Sequence, residues 1–245
     1  MKIDHPTDLQ IPQLRSLWKE AFGDSDAFLD VFFDTAFDAK RCLCITTNSE
    51  ITAAAYWFSC EKYAYIYAVA TAQAYRGQGY CHRLMDRIHA LLQQQGYTGA
   101  IVVPGEERLR CFYADMGYQN FGGIREFICA AGTPLPMRKL EPAEFAALRR
   151  QYLPAESVVQ EGENLAFLSR WAEFYAGHDF LLTVSKDGNV RKGLELLGNV
   201  HAAPSIVAAL GANSLSFRTP GEAPYAMCKS LGSETMPAYF GFAFD

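Results

Sequence analysis

Two glycines, Gly77 and Gly79, stand where a β-branched and aromatic stretch gives way to an amphipathic helical pattern, in Ala74-Tyr75-Arg76-Gly77-Gln78-Gly79-Tyr80-Cys81. The first amides of a helix have no intrahelical acceptor, and the helix dipole is positive at that end. Residues without a Cβ at such a turn let the main chain close on an anion, and a pyrophosphate suits the geometry. Charge agrees: between Arg76 and His89 the arginines Arg76, Arg83 and Arg87 face the single acid Asp86, in a chain whose net charge is −5. No G-x-x-x-x-G-K-[ST] occurs, and His82 stands where a dinucleotide fingerprint needs its third glycine, so nucleotide hydrolysis and hydride transfer are not indicated.

Other reactive side chains are fewer. Tyr113, in Phe112-Tyr113-Ala114-Asp115-Met116-Gly117-Tyr118, falls on a short helical pattern beside Leu109, Phe112 and Met116, where core packing competes with a chemical role. Tyr63, Tyr65 and Tyr67 share one face of a strand that carries no acid, an arrangement that more often serves as core than as the floor of a pocket. Asp26, Asp30, Asp34 and Asp38 recur every fourth residue with no Lys or Arg from Ala21 to Ala39. That acidic face invites a cationic amine, though a solvated face is the commoner outcome. His82 is placed to touch a phosphate, whereas His89 is expected at the surface. Cys81 has no base placed to activate it, so it reads as a backbone contact rather than a nucleophile.

These residues need elements to hold them. Leu14, Leu17 and Trp18 recur at helical spacing after Thr7 or Asp8, with Gly23 as a stop, and a second helix follows Ser25 or Asp26. Arg41 to Thr71 reads as a three-strand antiparallel meander broken at Asn48-Ser49-Glu50 and Glu61-Lys62. The helix after Gly79 carries Leu84, Met85, Ile88 and Leu92 and ends near Gly96; a short strand, Ala100–Val103, and a helix from about Glu106 to Met116 follow. Ala130-Ala131-Gly132-Thr133-Pro134-Leu135-Pro136 is the best linker, dividing the chain into 1–130 and 137–245. The second part echoes the first. Laid without a gap, Ala27-Phe28-Leu29 falls on Ala166-Phe167-Leu168, Leu43 on Leu182, Ile45 on Val184, Asn48 on Asp187 and Ile51 on Val190. No glycine-rich turn stands between its third strand (Glu195–Gly198) and its helix (about Pro204–Gly211).

At 245 residues, half of them hydrophobic, the chain has a core sufficient to stand without disulfides or structural metal. The acidic balance argues against nucleic acid and acidic membranes as partners. Seven cysteines with no C-x-x-C pair, and no zinc spacing, read as reduced thiols; with no signal-like or membrane-spanning apolar run, the expected location is cytoplasmic and no metal is expected.

Val69-Ala70-Thr71 with Tyr75-Arg76-Gly77-Gln78-Gly79, followed some thirty residues later by Phe112-Tyr113-x-x-x-Gly117-Tyr118, resembles the GCN5-related N-acetyltransferase (GNAT) superfamily. One departure is Ala74, where that family usually has Gln or Arg. The resemblance is specific over about Arg41 to Cys129. It implies an α/β fold with a mixed, mostly antiparallel sheet flanked by helices, followed by a smaller, degenerate GNAT-like unit. Acetyl-CoA would be the cosubstrate, its pantetheine arm on Val69, Ala70 and Thr71 and its pyrophosphate on Arg76, Gly77, Gln78, Gly79, Tyr80 and Cys81. Tyr113 would serve as the acid beside the thioester sulfur. Some tandem relatives bring a terminal carboxylate into the site, which makes Asp245 the candidate base. The expected reaction is direct N-acetylation of a small-molecule or peptide amine; the rivals are a non-catalytic acyl-CoA sensor or assembly module, and a transferase of longer acyl chains.

Overall fold

The structure, a computed structural model, describes residues 1–186, 191–232 and 236–244. Its elements run β1 (Lys2–Asp4), α1 (Ile11–Phe22), α2 (Asp26–Thr35), β2 (Cys42–Thr47), β3 (Glu50–Cys60), β4 (Tyr63–Thr71), α3 (Tyr80–Gln94), β5 (Gly99–Val102), α4 (Glu107–Asp115), β6 (Gln119–Phe121) and β7 (Ile124–Ala130). They continue as β8 (Arg138–Leu140), α5 (Pro142–Tyr152), α6 (Glu163–Trp171), β9 (Ala172–Ala176), β10 (Phe180–Ser185), β11 (Lys192–Gly198), α7 (Ala203–Ala209), β12 (Ser214–Pro220) and β13 (Ala226–Ser230).

Two compact units result: Met1–Gln119 with Met227–Met236, and Asn120–Ala226 with Pro237–Asp245. The first sheet has the order β1-β2-β3-β4-β5-β13-β6 and the second β7-β12-β11-β10-β9-β8. In the first unit the strands through β4 pair antiparallel and β4 runs parallel to β5. In the second, β8 to β11 pair antiparallel and β11 runs parallel to β12. This is the mixed, mostly antiparallel α/β architecture expected, present in two copies.

Local chemistry sets the helix limits. Ser25 accepts the Phe28 amide at the start of α2, and Gly23, at φ +75°, stops α1. One face of the first sheet packs Leu43, Ile45, Trp57, Ala64 and Ile66 under Leu84, Met85, Ile88 and Leu92 of α3. The other face carries Phe58, Tyr65 and Tyr67, in ring contact with one another, and Tyr65 is buried. The tyrosine face is therefore part of an aromatic core that includes Trp18 and Phe32.

Three differences from the sequence reading concern partners far away in the chain. Ile124–Ala130, before the linker, pairs with β12 in the second sheet. Met227–Ser230, late in the chain, pairs with Gly99–Val102 in the first. The gap-free repeat holds for α2 and α6 but slips in the sheet, where it lays β2 on β10. Strand order matches β2 with β9 and β3 with β10. The slip arises because Trp171 runs straight into β9, whereas Ala36–Arg41 separates α2 from β2. The overlays of Asn48 on Asp187 and Ile51 on Val190 lie outside the described residues.

Candidate functional site

Strand β4 is broken at one point that matters. Ala54 of β3 faces Ala70, but Tyr56 faces Tyr67, so β4 carries an extra residue there. Ala68 takes φ +49°, a left-handed conformation that costs an L residue about 1 kcal/mol or more. The bulge bends the strand where its pairing with β5 has already stopped: only Tyr63–Tyr65 pair with Gly99–Ile101. Beyond it, Val69, Ala70 and Thr71 line a cleft and offer a main-chain edge to which an extended ligand can add as a strand.

The turn that follows is fixed by its own hydrogen bonds. The Tyr75 amide donates to Ala72 O at 2.8 Å, and Gln78 Nε2 donates to Ala74 O at 2.9 Å. The Arg76 Nε donates to Thr71 O at 3.0 Å, folding the guanidinium over the turn. Gln78 thus uses its side chain to close the turn and contributes only main chain to an anion. Ala74, the departure from the family pattern, serves through its carbonyl. Gly77 and Gly79 take φ +72° and +78°, and a Cβ at either would meet no heavy atom of the described residues within 4 Å. The space beside both glycines is open among the described residues, and α3 starts after Gly79 with no side-chain cap on its first amides. This cradle fits the diphosphate of a coenzyme.

Within one unit, the cleft, about 580 Å³, brings together Val69, Ala70, Thr71, Arg76, Gly77, Gly79, Tyr80, Cys81 and Tyr113. Every sequence-derived site residue except Gln78 and Asp245 lines it. Asp245 lies outside the described residues. Tyr113 sits on α4, 8% exposed, with its ring edge-on to Phe112 and Tyr118. Burial, helped by the neighbouring Cys81, raises its phenol well above the ordinary range, so the O–H stays protonated and is a hydrogen-bond donor at neutral pH. Burial pushes the Cys81 thiol up to about 12, so it stands as a neutral thiol at neutral pH.

Other residues of the cleft were not proposed from sequence. Ala21 and Phe22 come from the end of α1, Tyr75 from the turn, and Leu109 and Phe112 from α4. Tyr75 and Phe112 stood within the motifs; nothing local marks the end of α1. His82 lines the cleft with its ring 5.0 Å from that of Phe112. His89 is not at the surface: it is 6% exposed and shares a 2.7 Å hydrogen bond with the Tyr118 hydroxyl. The acidic face of α2 is partly neutralised by α1, since Lys19 reaches Asp26 at 2.6 Å and Arg15 reaches Asp30 at 2.6 Å. Asp38 caps the Lys40 amide and pairs with Arg41.

Among curated proteins none matches the chain in sequence. Solved structures share the fold across both units. A GCN5-related N-acetyltransferase from Anabaena variabilis ATCC 29413 superposes with a TM-score of 0.75 at 14% identity, over 94% of this chain and 73% of that one. One from Kribbella flavida gives 0.72 at 16%, over 93% and 70%, and one from Sphaerobacter thermophilus gives 0.59 at 10%, over 98% of each chain. At such identities the likeness is one of fold. Residues 2–121 match the family profile described as an acetyltransferase (GNAT) domain, and these residues hold the bulged strand, the glycine turn and Tyr113. The match identifies residues 2–121 as an acetyltransferase (GNAT) domain.

Proposed function

We propose that the protein transfers an acetyl group from acetyl-CoA directly to the primary amine of a small molecule or peptide. The observation that carries this reading is a single cleft holding a strand edge, an open two-glycine turn and a buried tyrosine in chain order. When bound, acetyl-CoA supplies the activated acyl group. Main chain at Val69–Thr71 extends its arm along β4, while the amides after Gly77 and Gly79, with Arg76, hold its diphosphate. Fixing thioester and amine together removes most of the entropic barrier to transfer. As the amine nitrogen bonds to the carbonyl carbon and the C–S bond breaks, Tyr113 donates its phenol hydrogen toward the released sulfur. The proton that the amine loses goes to a general base, for which Asp245 is the candidate.

Free-thiol release from acetyl-CoA, measured over polyamines, amino acids, aminoglycosides and peptide N-termini, tests the reading. Turnover with one acceptor class, lost about a hundredfold in Tyr113→Phe with coenzyme affinity kept, supports it. Removal of Asp245 should abolish turnover; an unchanged rate removes Asp245 from the scheme. A second reading, a non-catalytic acyl-CoA sensor or assembly module, draws on the lack of any carboxylate on β4. Tight coenzyme binding with no turnover on the whole panel would favour it. Competition among acyl-CoAs of different chain length decides between acetyl and longer groups.

A further inference from the structure

Behind Tyr113 lies a polar construction that the reaction scheme does not use. Helix α4 ends in a glycine cap: Gly117, at φ +88°, donates to Ala114 O, and the Tyr118 amide donates to Tyr113 O at 3.1 Å. Tyr118 therefore grips Tyr113 by main chain, and its ring also lies edge-on to the Tyr113 ring, centroids 5.5 Å apart. The Tyr118 hydroxyl in turn shares its 2.7 Å hydrogen bond with His89 Nε2 on α3. Across the same cap, Lys229 Nζ of β13 donates to Met116 O, one of the last carbonyls of the helix. His89, Tyr118, Met116 and Lys229 all belong to the first unit.

The placement is costly. Tyr118 and Met116 are members of a mostly apolar cluster with Leu84, Met85, Ile88 and Leu92, and His89 Nδ1 is buried with no hydrogen-bond partner among the described residues. Phe at 118 over Leu at 89 would fill the same space without an orphaned nitrogen. What an apolar pair lacks is direction. A hydrogen bond between two rings fixes the angle of the second against the first, and a satisfied polar contact in a core specifies one arrangement where apolar packing allows several. We infer that His89 and Lys229 are positioning residues that hold the α4 cap from two sides and so fix the Tyr113 ring in the cleft. The inference rests on the proposed role of Tyr113 for its effect on rate, but not for its effect on geometry.

The test uses the full chain labelled with 3-fluorotyrosine, the Tyr113 resonance being assigned by its loss in Tyr113→Phe. In His89→Leu and Lys229→Met the Tyr113 fluorine signal should shift and broaden while acetyl-CoA affinity, by calorimetry, stays within about twofold of the parent. His89→Gln and Lys229→Arg, which keep a hydrogen-bonding group, should restore the signal. If the apolar variants fail to fold, Tyr118→Phe, which removes only the hydroxyl bonded to His89, stands in and should shift the Tyr113 signal, an unchanged signal overturning the inference. On any acceptor found in the amine panel, the rate constant should fall about tenfold with KM for acetyl-CoA unchanged. A Tyr113 signal indifferent to both apolar variants would overturn the inference. Full turnover by Tyr113→Phe would instead sink the catalytic reading and leave the fluorine result to judge the positioning role.

Discussion

Both units place a turn and a helix between the two parallel strands of their sheet, and the two turns could hardly differ more. In the first, Gly77 and Gly79 open onto empty space before a helix of fifteen residues. In the second, β11 ends at Gly198, where a Cβ would clash with Asp179 O and the Tyr152 ring. The helix beyond it has seven residues and begins under Gly132, whose amide donates to Pro204 O. Glycine serves opposite ends in the two places: in one it leaves room for a ligand, in the other for the protein itself. The central strands differ in the same sense. On β11, Glu195 is 1% exposed and receives two hydrogen bonds from Arg149 of α5, at 2.7 and 2.8 Å, and one from the Tyr239 hydroxyl at 3.0 Å. The Arg149 guanidinium lies 4.3 Å from the Phe242 ring centroid. At this turn and on this strand the second unit packs its own groups where the first leaves space, so topology alone does not predict a ligand there.

The comparison can be broken most directly at the turns. Gly77→Val should cost at least a hundredfold in acetyl-CoA affinity by calorimetry, because its side chain occupies the cradle, and the φ of +72° adds about 1–2 kcal/mol of strain. Gly198→Val should leave that affinity unchanged and lower the melting temperature. If both variants bind alike, the asymmetry of the turns is not what assigns the coenzyme to the first unit.

Arg149→Met leaves the Glu195 carboxylate buried and unpaired, and should destabilise the second unit by about 3–5 kcal/mol in denaturant unfolding. The double variant Arg149→Met with Glu195→Leu should recover much of the loss, since apolar groups replace the pair without an orphaned charge. Coenzyme affinity should follow neither.

The buried His89 gives the first unit its own pH dependence. Burial, with the nearby Lys229 charge, lowers its pKa to about 4, against a small opposing effect of Asp86. An unfolded chain protonates this imidazole near pH 6.5, so between about 6.5 and 4 the unfolded state takes up the proton first. The contribution of neutral His89 is complete above pH 6.5 and is lost as the pH falls toward 4, on the order of 3 kcal/mol over that window. His89→Gln should flatten the stability profile over this range, measured by urea unfolding as a function of pH. A parallel profile would show that the group is not desolvated as the structure has it.

The smallest effect concerns the bulge. Ala68→Gly should be neutral or stabilising by up to about 1 kcal/mol, because glycine takes a positive φ without penalty. Ala68→Val should cost more than that and weaken coenzyme binding as well, by straightening the strand edge at Val69–Thr71. Equal stability of the two variants would remove the strain from the account of β4.

The four helices of the first unit, the cap Ser25 and the stop Gly23, the meander, the glycine turn and the tyrosine of α4 were legible in the sequence because each rests on interactions within a few residues, whereas α1 begins at Ile11 after Gln10 rather than at the expected Thr7 or Asp8 cap. Ser25 and Gly23 act on their own helices, and Gly77 and Gly79 announce a turn by lacking a Cβ. His89 was misread because the pattern of α3 counts it as polar, whereas its partner Tyr118 arrives from another element. The acids of α2 looked unpaired because Arg15 and Lys19 stand on the preceding helix. The repeat was recognisable through α2 and α6, yet its strand register depended on a link of different length.

Local chemistry thus determined most helices and strands of the first unit and the place of the two-glycine turn. Only the tertiary structure decided which strands neighbour one another: β7 joins the second sheet and β13 the first, each crossing the boundary that composition marks. The physical reason is that a strand's hydrogen-bonding groups are alike in every sequence, so its partner is chosen by the surface it buries, and that surface is assembled from residues a hundred positions away.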